Sequence, residues 1–169
     1  MNCFNIAGPQ IAEGVLKLSP AHYGYWNFLN TIGMLLGGLL SKKLLARFSS
    51  NTVIAIGFFG MALGIVNLCI IWYLGSESVL LFFLTSATLY CFGSFLYAGG
   101  TLIASNALAD KATSSAAMSF IFLSFSTVWV ILLGYLGKNV LVDYIIILSL
   151  AWLIVVILFI DSKSRRPIY

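Results

Sequence analysis

The chain is short of charge. Only 8% of its residues are Asp, Glu, Lys or Arg, while 61% are hydrophobic. A soluble domain carries about a quarter charged residues, and this composition cannot cover a soluble surface. Soluble globular classes are excluded without any motif. A mean hydropathy of +1.04 predicts an all-α membrane protein instead. Histidine is scarcer still. His22 is the only one, and it is expected in a short loop beside Pro20. The sequence holds no GxSxG, no HExxH and no glycine-rich strand–helix turn. No catalytic set is visible, and an enzyme is not expected. The three cysteines, Cys3, Cys69 and Cys91, lack any CxxC spacing, which argues against a disulfide frame or a zinc site. No cofactor and no metal are expected. The net charge of +4 is small and sits at segment ends, so it reads as topology rather than nucleic-acid binding. The N-terminus does not read as a secretory signal, because Pro9, Gln10 and Glu13 interrupt its apolar part and no cation precedes it.

What is present is a set of charge-free windows at 18–41, 48–76, 78–109, 112–137 and 144–160. A membrane span needs roughly 20 residues at about 1.5 Å rise each. Five full transmembrane helices are predicted, at about 24–41, 53–74, 79–105, 115–137 and 140–160, with Asp143 at an interface. Residues 1–16 carry Asn2, Asn5, Pro9, Gln10 and Glu13 and are too short for an independent span. They read as the end of a truncated helix. The whole of 1–169 reads as a single membrane domain.

Sidedness follows from the loops. Lys42, Lys43 and Arg47 follow the first span, Lys111 follows the third, and Lys163, Arg165 and Arg166 follow the fifth. If the spans alternate, all seven fall on one side, against Lys17 and Lys138 on the other. The richer side is predicted to be cytoplasmic, with the C-terminus on it. Tyr23, Tyr25 and Trp26 form an aromatic belt at the opposite end of the first span.

The spans differ in kind. Val53–Leu74 and Val140–Ile160 are almost wholly apolar, Asn67 and Ser149 excepted, and such helices can face lipid on most sides. The others carry polar stripes at helical spacing. Asn27, Asn30, Thr31, Gly38 and Ser41 share one arc, and Ser86, Tyr90, Ser94, Tyr97, Thr101 and Ser105 share a second. Ser115, Ser119, Phe122, Ser126 and Trp129 share a third. Small and hydroxyl residues serve close helix packing, and for any single Ser or Thr that is the better reading. Large aromatics among small polar residues suit the wall of a substrate cavity for an apolar or cationic small molecule. The cavity candidates are Asn27, Asn30, Thr31, Ser86, Tyr90, Ser94, Tyr97, Thr101, Ser119, Phe122, Ser126 and Trp129. Glu13 is the ionisable candidate, able to take a proton or pair with a cation. Gly33 with Gly37, and Gly60 with Gly64, have GxxxG spacing and predict close helix packing.

The stretch LSPAHYGYWNFLNTIGMLLGGLLSKKLLARF resembles the region after the seventh helix of major facilitator superfamily exporters, most of all Bcr/CflA-type drug/proton antiporters. Ser19, Pro20, Tyr23, Gly24, Asn30, Gly33, Gly37 and Arg47 carry the likeness. SNALADKATSSAAMSF is similar to the loop joining helices ten and eleven, with Ser where that family often has Gly. The resemblance implies helices seven to twelve of that fold, with nine and twelve peripheral and seven, eight, ten and eleven lining the cavity. It further implies a bacterial inner membrane, multidrug efflux by antiport, and a missing or separately encoded N-terminal six-helix half as partner. The family's Asp-Arg signature between helices two and three has no counterpart here. A membrane anchor or assembly subunit without its own substrate is the competing reading. A small homodimeric exporter with Glu13 as proton site fits less well, because it would have four spans.

Overall fold

The computed structural model describes residues 2–106, 110–136 and 139–164. Six helices follow in order: α1 (Asn2–Gly14), α2 (Pro20–Leu45), α3 (Ser50–Tyr73), α4 (Val79–Ser105), α5 (Lys111–Leu136) and α6 (Val140–Ser164). Helices α2 to α6 are long and apolar enough to cross a membrane, and no strand occurs among the described residues. The protein is an all-α membrane protein. Lys138, Arg165 and Arg166 lie outside the described residues.

Local chemistry sets the helix ends. Ser19 caps α2, its hydroxyl accepting from the His22 backbone N–H, and Pro20 fills the first helical position, where no N–H is needed. His22 therefore stands in the first turn of α2 rather than in the loop expected from the sequence. The Ser19 hydroxyl also lies 2.8 Å from His22 Nδ1. Ser49 caps α3 through Thr52 N–H. Beyond the end of α3, Gly75 with a φ of 58° lets Ser76 N–H reach Ile71 O and Gly75 N–H reach Trp72 O. Asp143 closes the start of α6 by accepting from the Asn139 backbone N–H at 3.4 Å.

Helix directions follow from residue pairing. Gly33 meets Ala87 and Gly37 meets Cys91, so α2 and α4 run in the same direction. Gly57, Gly60 and Gly64 meet Leu96, Phe92 and Leu89 in reverse order, so α3 runs against α4. Phe58 packs on Phe159, while Cys69 and Val142 line one groove, so α6 runs against α3. Tyr97 packs on Phe122 and Ser114 bonds to Ala104 O, so α5 runs against α4. Helices α2, α4 and α6 are thus co-directional. The ends carrying Lys42, Lys43, Arg47, Lys111 and Lys163 lie together at one end of the bundle.

The core sits at the other end, around α1. Phe4 stacks on Phe82 at 6.0 Å and meets Tyr90 and Tyr144 edge-on at 5.7 and 6.0 Å. Ala7, Ile11, Leu16, Leu68, Phe83, Leu89, Leu141 and Ile147 complete this cluster. The short N-terminal segment is therefore a central packing element, although its sequence is the most polar of the six. Helix α3 is open on much of its surface and packed along one face. Three glycines let α4 press into it, and it buries one whole face. Helix α5 is the least embedded, with Ser114 its one buried side chain among the described residues.

Candidate functional site

The seam between α2 and α4 consumes much of their polar stripe. A Cβ on Gly33 or Gly37 would clash with the Ala87 or Cys91 carbonyl oxygen, so only glycine admits this approach. Inside the seam, Ser86 Oγ donates to Asn30 Oδ1 at 2.6 Å, and Asn30 Nδ2 donates to Asn27 Oδ1 at 2.8 Å. Ser94 Oγ donates to Tyr90 O at 2.9 Å and lies 3.4 Å from Met34 O. Asn30, Ser86 and Ser94 are buried. Of the cavity candidates, these three are placed in helix packing, with their hydrogen-bonding groups engaged there. A buried polar group in a bundle is retained when it is paired.

Other candidates border open space. Thr31 is exposed on α2, and Asn27 is half-buried beside it. Tyr90 is half-buried and donates to Asn5 Oδ1 at 3.2 Å, tying α4 to α1. Tyr97 is 56% exposed and meets Phe122 of α5 edge-on at 6.2 Å. Thr101 donates back to Tyr97 O at 2.5 Å. Ser119 and Phe122 are exposed, Ser126 is half-buried, and Trp129 packs against the α1-centred core. Trp129 is thus tied to the packing of α5 on the core.

Helix α1 adds an exposed polar face that lies outside the three longer stripes. It turns Phe4, Ala7, Gly8, Ile11 and Ala12 inward and leaves Asn5, Pro9, Gln10 and Glu13 exposed. Gly8 keeps room for the Tyr23 hydroxyl, which would lie 2.8 Å from a Cβ there. The signal was present in the sequence. Asn2, Asn5, Pro9 and Glu13 recur at steps of three or four, the same spacing that marks the longer stripes.

An exposed face bearing Asn, Gln and Glu is costly against hydrocarbon, where unsatisfied polar groups find no partner. This face presents Asn, Gln and one carboxylate; Thr31 of α2 and Tyr97 of α4 are exposed elsewhere on the bundle. Among the described residues no group of three His, Cys, Asp or Glu could hold a metal ion. Compared with protein-family profiles, with curated proteins and with solved structures, the chain matches none.

Proposed function

We propose that this chain forms the C-terminal half of a secondary transporter of the bacterial inner membrane, with its C-terminus cytoplasmic. It exports small amphipathic compounds or drugs in exchange for protons. The observation that carries this reading is the polar outer face of α1, where Asn5, Gln10 and Glu13 are exposed beside a bundle whose other surfaces are largely apolar. A face of this kind borders water or another protein. In transporters built from repeats, substrate sites lie between the halves near the bilayer midplane. The partner is then a second six-helix half, on the same or another polypeptide. Loading vesicles with this chain, with and without such a half, tests the proposal. Gradient-driven movement of a cationic dye is expected only with both. Its absence in both preparations would refute the transport reading.

The packing of Asn30, Ser86 and Ser94 supports a second reading, an assembly subunit whose polar groups serve contacts alone. Thiol labelling separates the two. With Cys3, Cys69 and Cys91 replaced by Ser, cysteines at Gln10 and Thr31 react with a membrane-impermeant maleimide if they border a cavity. A cysteine at Leu63, exposed on the apolar α3, stays protected in either case. Protection at all three positions in the assembled protein favours the assembly subunit.

A further inference from the structure

Helices α3 and α6 each carry one conspicuous polar side chain within the span, and the two are treated differently. Ser149 donates to Ile145 O at 2.7 Å, within its own helix. Asn67 is exposed on α3 and has no hydrogen-bond partner among the described residues. It lies six residues before Tyr73, the end of a 24-residue helix. At about 1.5 Å per residue that is roughly 9 Å from the helix end. With a hydrocarbon core about 30 Å thick, the carboxamide sits several ångströms inside the apolar layer. Asn is too short to reach the interface from there, unlike Lys or Arg.

Asn67 does not stand alone. It shares an outward groove of about 250 Å³ with Ile70, Leu81, Leu84, Thr85 and Thr88. The Thr88 hydroxyl is engaged by Leu84 O at 2.9 Å. The groove lies roughly opposite, on α4, to Phe82 and Tyr90, which hold α1. It is therefore separate from the polar face described above. Along α3, Phe59, Leu63, Val66 and Ile70 extend an exposed apolar ridge past Asn67.

We propose that this groove is the contact between two copies of the chain, with Asn67 of one bonded to Asn67 of the other. A carboxamide carries both donors and an acceptor, so it satisfies a second copy of itself across a two-fold axis. An apolar ridge beside it supplies the packing that drives helix association in lipid, and amide bonds across helices fix the register. A lipid tail would leave the carboxamide unpaired, which is why a second copy is favoured over acyl chains. The contact is independent of whether the protein transports anything.

The test is the oligomeric state of the purified full chain in phosphatidylcholine vesicles, read by single-molecule photobleaching over a range of protein-to-lipid ratios. Wild type is expected to form dimers. Asn67→Val is expected to weaken them about tenfold, since two interhelical amide bonds are lost. Asn67→Gln, which keeps the carboxamide, is expected to retain most of the dimer. In a background free of native cysteines, Asn67→Cys should cross-link to itself, while a cysteine at Tyr135 on the remote α5 should not. A wild-type protein that stays monomeric at every ratio would overturn the proposal. So would dimers unaffected by Asn67→Val, or dimers whose Asn67→Cys variant fails to cross-link.

Discussion

Ser86 of α4 and Asn30 of α2 are 56 residues apart in the chain and 2.6 Å apart in space, hydroxyl to amide oxygen, inside the tightest seam of the bundle. Asn27 continues the chain of bonds at 2.8 Å from Asn30 Nδ2. Each of the three is a short polar side chain that the membrane would penalise if it stood alone. Paired, they set the register of the glycine contacts one turn further along.

Removing the hydroxyl should therefore loosen the seam. Ser86→Ala leaves Asn30 Oδ1 without its donor. It is expected to cost about 1 kcal/mol, in the range of interhelical bonds within membranes. Thermal unfolding in detergent, compared with Thr88→Ala, whose hydroxyl bonds only within its own helix, is the measurement.

The glycine contacts predict a larger asymmetry between neighbours. Gly37→Val would place a side chain on the Cys91 carbonyl, which cannot move without moving α4. A loss of about 3 kcal/mol is expected. Gly38 has open space where a Cβ would go. Gly38→Ala is expected to stabilise by about 0.5–1 kcal/mol through helix propensity. Equal effects at the two positions would be incompatible with a seam closed at Gly37 and open at Gly38.

Asp110 lies outside the spans and caps α5. Its carboxylate accepts from Thr113 Oγ1 and from the backbone N–H groups of Ala112 and Thr113. The Thr113 hydroxyl bond first, and then the two backbone bonds, hold its pKa below the ordinary 3.8. A depressed carboxylate contributes stability above its unfolded pKa and loses it as pH falls through the folded value. The start of α5 should keep its amide protection through the ordinary carboxylate range and lose it only as pH falls through the lowered pKa of Asp110. The Asp110→Ala variant should be frayed throughout and show no such transition. Hydrogen exchange at Ala112 and Thr113 reads this.

If the bundle handles cationic compounds, Tyr97, an exposed ring on the arc of α4 that also carries Tyr90, is a ring to test. Tyr97→Ala is expected to raise the half-saturating dye concentration about three- to tenfold, and Tyr97→Phe to leave it nearly unchanged. Paired binding measurements at two salt concentrations would separate ring contact from the charge of Glu13.

Much of the architecture was legible from composition and spacing. The predicted spans 79–105 and 140–160 begin at the same residues as α4 and α6, and the GxxxG pairs mark close helix contacts. The polar stripes were harder to read. Ser86 and Ser94 fall on the same helical arc as Tyr97, yet the first two are sealed in the seam and the third is open. Arc membership records direction around a helix and says nothing of how far along its length the neighbour stays in contact.

Hydrophobic run length, cation placement and glycine spacing are local properties, so the chain alone determined that five helices are long and apolar enough to cross a membrane, and where each lies to within about four residues. Which polar groups are spent on one another depends on distances between residues remote in sequence. Only the packed bundle could therefore show Asn30 satisfied by Ser86, α1 at the centre of the core, and Asn67 left facing outward without a partner among the described residues.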